Sequence, residues 1–403
     1  MYGVPMLDNL LQARAGSSAP FLITDPEGPV LTYAWLAAGV EDWGRALAAA
    51  GLGAGSRLAL VLGPGPAWAA AYLAALRGDL LVAALDPAAP AGILREWLNR
   101  LQPDLVVAQP GAPVGRGWPR VLLSPGALLP PRLPAAGDRT RPGPEADGAL
   151  VCAEPDGPWR PVRLSRPQLL YVAAKVARHL HLGPGDVGLS GYPLSDLEGQ
   201  VTGLLATLVA GSALLAGAAA QRSGSALRPT WANLPPARAG ARPLPGLRLV
   251  RVPWRPGEVR PEAEWEARWG CPVLTAYDVA EAGGQVAAEA PPPAPRRPGS
   301  VGRPLGVAVS VHDAEGWDLP PGVEGEVWIK GPGVIHAYWG QTYGRRFRQG
   351  WFRTGDLGYL DPDGYLYLTG RLGADLPAWL RRAPAAARPS PVRWGPGLVP
   401  GWY

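Results

Sequence analysis

Lysine is almost missing from these 403 residues: Lys175 and Lys330 are the only two, so arginine carries nearly all the positive charge. The formal net charge of +5 is modest, and the arginines are scattered apart from short pairs such as Arg296-Arg297 and Arg345-Arg346. That excludes the basic stripe of a nucleic-acid-binding protein. Cysteine is nearly absent too. Cys152 and Cys271 each fall inside an apparent buried strand, which excludes a disulfide scaffold and reads as two free thiols in a reducing cytoplasm. No His/Cys cluster has zinc spacing, and His179 and His181 read as the end of a helix. Met1 to Pro20 lacks a positive segment followed by an apolar block, so no secretory signal is expected. Long apolar runs are also scarce. Val201 to Ala220 is uncharged and long enough to cross a bilayer, but it is mostly Ala, Gly and Thr and is interrupted at Gly211-Ser212. A buried helix followed by a buried strand is expected there, not a membrane span. Phe, Ile, Asn and Met are few while Ala, Gly, Pro and Trp abound, the usage of a GC-rich genome.

What is present is an alternation of helix and strand. Thr32 is placed to cap a helix whose apolar residues Leu36, Val40, Trp43 and Leu47 recur every three or four positions until Gly51. Short apolar runs at 57–62, 80–85 and 105–108 are separated by helical stretches at 66–77 and 91–101. Such βαβ units imply a parallel sheet. After a Pro/Gly/Arg-rich stretch at 130–147 the alternation restarts, with strands expected at 149–153, 247–252 and 273–277 and a helix at 165–180. Beyond Pro291, the segments 307–312, 325–329 and 365–369 read as a small antiparallel unit. The expected fold class is α/β: two layered units with mostly parallel sheets (1–147 and 148–290) and a small β-rich unit (291–371). The Ala/Pro/Arg-rich tail at 372–403 has no apolar period.

The segment GWFRTGDLGYLDPDGYLYLTGR, Gly350 to Arg371, closely resembles the signature of adenylate-forming enzymes. That family includes acyl-CoA synthetases, aryl-CoA ligases, luciferases and peptide-synthetase adenylation domains. The run from Arg297 to Gly340 and the N-terminal run LTYAWLAAGVEDWGRALAAAGLGAGSRLALVL are similar to the family as well. The resemblance implies activation of a carboxylate by ATP and Mg²⁺, giving an acyl-adenylate whose acyl group passes to a thiol, usually that of CoA. It implies that Asp356, on a turn with Thr354, accepts hydrogen bonds from the ribose hydroxyls of AMP and that Arg371 reaches the ribose. A carboxylate held on such a turn is a bidentate acceptor for a vicinal diol. Tyr277 would stack on adenine, and Glu281 would help to hold Mg²⁺.

Other motifs depart from the family pattern. Its phosphate loop, SGTTGxPKGVxLSH, aligns with AEPDGPWRPVRLSR, Ala153 to Arg166. Gly157, Val162, Leu164 and Ser165 keep the register, but Glu154, Pro155 and Asp156 replace a glycine and two threonines, and Arg160 replaces the lysine. Pro155 removes an N–H, and one carboxylate about 4 Å from a phosphate costs on the order of 4 kcal/mol at an effective dielectric near 20. Arg160 offsets part of this. The family's Tyr-Gly-x-Thr-Glu aligns with Tyr277 to Glu281, where Ala280 lacks the phosphate-binding hydroxyl; its aromatic-His pair aligns with Ser195-Asp196. Its glycine-containing adenine wall falls near Val252 to Pro256, which has no glycine. The lysine of its C-terminal lid has no counterpart after Arg371. The resemblance therefore implies a nucleotide or acyl ligand bound without efficient adenylation, with Glu281 and Arg160 as the candidate catalytic groups. Two alternatives stay open: a working ligase completed by a separate lid partner, and an interaction protein keeping only the fold.

Overall fold

The computed structural model describes residues 6–25, 27–135, 148–152 (150–152 as backbone alone), 161–217, 227–239, 244, 246–256, 261–340 and 346–372. Arg160 and the loop aligned with the phosphate motif, 153–160, lie outside the described residues, as does the tail.

Local signals act where the sequence puts them. Thr32 caps the helix Tyr33–Ala49 by accepting from the Trp35 N–H at 3.2 Å, and Leu36, Val40, Trp43 and Leu47 are all buried. Ser165 and Gln168 form a reciprocal capping box at the start of Arg166–His179. Such a cap stabilises a helix by about 1 kcal/mol. Strands such as Arg57–Val61 and Leu105–Ala108 are apolar along almost their whole length because parallel sheets are covered on both faces.

Among the described residues the strands form three sheets. The first has six strands in the order Arg120–Leu122, Leu105–Ala108, Arg57–Val61, Leu81–Ala84, Gly148–Cys152, Pro161–Leu164. All its pairings are parallel except the last. The second has nine strands and a parallel centre formed by Val273–Val279, Leu249–Pro253, Trp231–Asn233, Val187–Ser190, Ala213–Leu215 and Pro20–Ile23. The third, antiparallel throughout, carries Ala308–His312, Gly325–Lys330, Phe347–Arg348, Trp351–Leu360 and Leu366–Arg371. The α/β class with a small antiparallel unit is as expected.

Strand pairing crosses the boundaries read from the sequence. Gly148–Cys152, expected to open the second unit, pairs with Leu81–Ala84 in the first sheet. Pro20–Ile23, at the chain's start, pairs with Ala213–Leu215 in the second. Partner choice is a long-range property that local periodicity does not report.

One hydrophobic core joins the three sheets, drawing on Leu58 and Leu60 of the first, Leu214 and Leu249 of the second, and Val327 and Ile329 of the third. The helix Pro66–Arg77 is buried on all sides up to Leu76, as a helix inside a core must be. Its Tyr72 donates to Gln200 Oε1 at 2.9 Å, tying the first unit to the second. Gln200 belongs to the π-helical segment Gly199–Leu205, followed by the helix Ala206–Ala210 and the strand Ala213–Leu215. The uncharged stretch, as far as Leu215, is thus a buried helix and strand, and among the described residues no helix is long and apolar enough to cross a membrane.

Candidate functional site

Asp356 lies near the middle of Trp351–Leu360 and is paired in register with Arg371 on Leu366–Arg371. Gly355 sits at φ +78°, in the left-handed region that glycine tolerates best, and this aims Thr354 and Asp356 inward. The Thr354 hydroxyl donates to the Val327 carbonyl at 2.7 Å and accepts from the Asp356 N–H at 3.0 Å, locking the turn. Arg346 donates to the Thr354 carbonyl at 3.3 Å. Tyr277 reaches across from the second sheet, its hydroxyl donating to Asp356 Oδ2, and Arg371 donates to Oδ1 at 3.1 Å. Both carboxylate oxygens are therefore held by the protein, and each keeps a lone pair.

Burial pushes the Asp356 carboxyl above its usual range; Arg371 and the Tyr277 hydrogen bond pull the other way, and the nearby Glu281 adds to the rise. The Tyr277 ring is buried and its hydroxyl is driven well above the usual tyrosine value, by burial first and then by Asp356. Stacking on a base would require a face of that ring to open. Glu281 is also buried; its carboxylate accepts from the Tyr338 hydroxyl, and its backbone carbonyl accepts from Ile335 N–H at 2.8 Å. So Tyr277, Thr354, Asp356 and Arg371 come together, with Glu281 close enough to perturb Asp356. Among the described residues, no three His, Cys, Asp or Glu side chains group as metal ligands would.

Tyr277 and Asp278 lie side by side on Val273–Val279, and Asp278 lines a cavity of about 620 Å³. The cavity opens where parallel strands of the second sheet end, at Tyr192–Glu198 after Val187–Ser190, Pro235–Ala237 after Trp231–Asn233, and Pro253–Arg255 after Leu249–Pro253. Carboxyl ends of parallel strands are where open α/β sheets bind ligands. Leu85, Ile93, Leu94 and Trp97 of the first unit close the other side. Ser195 and Asp196, aligned with the family's aromatic-His pair, line it too. Gly199 lets their loop fold back, since a Cβ there would lie 2.0 Å from the Pro193 carbonyl oxygen. Asp196 accepts from the Glu198 N–H at 2.8 Å; burial, then the Glu198 charge, push its carboxyl up to about 6 despite Arg255.

Sequence reasoning missed the charged floor of this cavity. Arg251, only 1% exposed, donates to Glu198 Oε2 at 2.8 Å, Asn233 Oδ1 at 2.9 Å and Gln285 Oε1 at 3.2 Å. It also holds both oxygens of Asp278, at 2.6 and 2.7 Å. Burial and the Glu198 charge raise the Asp278 carboxyl, while Arg251 opposes them. A signal was available: an arginine inside the apolar strand LVRVP is unusual unless a carboxylate waits for it.

A buried, hydrogen-bonded carboxylate on an antiparallel unit, together with a strand-end cavity of a parallel sheet, is the arrangement expected of the large domain of an adenylate-forming protein. Comparison with known proteins agrees, and the chain belongs to the AMP-binding enzyme family, whose model matches residues 11–136 and 162–339. It is 29% identical over 394 residues to a sulfoacetate–CoA ligase from Cupriavidus necator, covering 90% of this chain and 77% of that one. It is 32% identical over 250 residues to an oxalate–CoA ligase from Arabidopsis thaliana, covering 56% and 48%. The crystal structure of ATP-bound MatB from Rhodopseudomonas palustris superposes with a TM-score of 0.75 at 25% identity, covering 91% of this chain and 79% of that one. The class is thus carboxylate–CoA ligase-like.

Proposed function

We propose that this chain is a cytoplasmic nucleotide-binding member of the carboxylate–CoA ligase class that holds AMP at Asp356 and an organic ligand in the adjoining cavity, with little or no adenylation. The observation that carries the reading is the held carboxylate of Asp356. Thr354, Tyr277 and Arg371 fix its direction, each oxygen retains a lone pair for a vicinal diol, and the Arg371 side chain is 49% exposed. The residues therefore fit the ribose of a nucleotide. ATP would supply a phosphate leaving group; Glu281 is the group we assign to Mg²⁺ beside those phosphates, since Mg²⁺ commonly shares one or two carboxylates with substrate phosphates. CoA is the thiol that the names of the relatives point to.

The low-turnover half of the reading rests on residue types. Glu154, Pro155 and Asp156 stand where the family has phosphate-cradling groups, and Ala280 stands where it has a hydroxyl. Preorganised donors supply much of the rate when charge moves onto a departing pyrophosphate, and losing one commonly costs about 10²- to 10³-fold. Thermal unfolding with AMP and ATP, together with carboxylate-dependent pyrophosphate exchange into ATP, tests both halves. AMP should stabilise the chain more than ATP, and exchange should be undetectable over a broad acid panel. Robust exchange by the chain alone would establish Arg160 and Glu281 as sufficient and end the low-turnover reading. Exchange appearing only with an added lid-bearing protein would replace it with a two-component ligase.

A further inference from the structure

Resting on the reading of the strand-end cavity as the ligand chamber, we propose that it selects a ligand carrying a protonated amine on an apolar body, with Glu198 and Asp278 receiving the ammonium. The walls suit the body: Leu85, Ile93, Leu94, Trp97 and Trp254 line a space of about 620 Å³, within the range of small-molecule pockets. The polar lining is predominantly acidic. Asp86, Asp196, Glu198 and Asp278 face it, with Arg255 as the basic side chain among its described residues.

The floor is one cation short. Arg251 brings a single positive charge to two carboxylates, and its nitrogens are already engaged by Glu198, Asn233, Gln285 and Asp278. Glu198 is 7% exposed; its Oε2 accepts from Arg251 and from Asn233, whereas its Oε1 has no hydrogen-bond partner among the described residues. Lys175, the other cation near Asp278, donates to the Gln285 backbone carbonyl, and burial lowers it to about 7. Glu198 and Asp278 crowd each other, part of the reason that the Asp278 carboxyl is raised. A ligand ammonium supplies both missing items, a donor for Oε1 and a second positive charge. A second anionic group on a ligand meets the opposite field.

Matched probes test this with the full chain at pH 7.5, using calorimetry and tryptophan fluorescence with 3-phenylpropylamine, 3-phenylpropanoate and oxalate. The amine should bind at least about tenfold tighter than the acid, the order expected of a charge-assisted hydrogen bond, and oxalate should not bind. Glu198→Gln should bring amine and acid to within about threefold of each other, a loss of most of that hydrogen bond. Should that variant not fold, Asp196→Asn at the rim should shrink the ratio in the same direction. Tighter binding of the acid, binding of neither organic probe, or a ratio unchanged in the folded variants would overturn the proposal. AMP titrated in parallel reads the other site. Amine preference without AMP binding removes the nucleotide reading alone, and AMP binding beside an acid-preferring cavity removes this proposal alone.

Discussion

Arg251→Met is the perturbation to which this structure is most sensitive. The substitution keeps an apolar side chain in the strand Leu249–Pro253 but removes five hydrogen bonds of 2.6 to 3.2 Å. It leaves Glu198 and Asp278 buried together without the guanidinium that both carboxylates bond, and it strips a donor from both Asn233 Oδ1 and Gln285 Oε1. Removing one partner of a buried ion pair costs about 3–5 kcal/mol, because the remaining charge is uncompensated. The sign of the pH dependence follows from the raised carboxyl of Asp278. With Arg251 gone, the folded-state carboxyl of Asp278 moves further above its unfolded value, so the native state binds more protons than the unfolded state above about pH 4. Stability of the variant therefore falls as pH rises through that window, and its deficit against the parent is larger at pH 8 than at pH 5. Urea denaturation of both proteins at the two pH values measures it. A deficit under about 1 kcal/mol at pH 8, or one that grows on acidification, would refute the account of this cluster.

Three further outcomes are expected. Asp356→Ala should abolish the AMP-induced rise in unfolding temperature, which for the parent corresponds to about 2.7 kcal/mol at a hundredfold excess over Kd; an unchanged rise would place AMP elsewhere. Lys175→Met should lose its advantage over the parent as pH rises from 7 to 10. Burial lowers the Lys175 ammonium to about 7, so the unfolded state binds the extra proton and the parent gains about 1.4 kcal/mol per pH unit in that window; parallel stability curves would contradict this. Tyr72→Phe deletes the donor to Gln200 Oε1 and should cost about 1–2 kcal/mol in urea unfolding, read against a Trp68 whose ring stacks on Tyr72.

The fold was legible wherever its cause is local. Spacing of Leu36, Val40, Trp43 and Leu47, the cap at Thr32, and apolar runs such as Leu105–Ala108 mark elements whose burial follows from period and composition. What escaped was pairing between distant segments. Nothing in Pro20–Ile23 announces Ala213–Leu215 as its neighbour, and Gly148–Cys152 looks no different from a strand that starts a new sheet. Thr354, Asp356 and Arg371 were legible because one short signature carries all three, and their register across two adjacent strands then brings them together.

The cavity floor was hidden for a different reason. Glu198, Asn233, Arg251, Asp278 and Gln285 come from five separate segments, and each alone passes for a surface residue or a substitution that merely erodes a motif. Asp278 shows how such erosion misleads. Read along the chain, it is a lost glycine beside Tyr277; in space, it is half of a buried charge pair that closes one end of the cavity. The strand Val273–Val279 thus turns two neighbouring side chains to two tasks, Tyr277 toward Asp356 and Asp278 toward Arg251. A residue that departs from a catalytic pattern yet is held by a fully buried partner carries a cost that simple decay does not explain, since an unpaired buried charge would be worse than either the family's glycine or an apolar side chain. The departure at position 278 therefore depends on Arg251, and restoring glycine at 278 alone should destabilise the chain rather than move it back toward the family pattern.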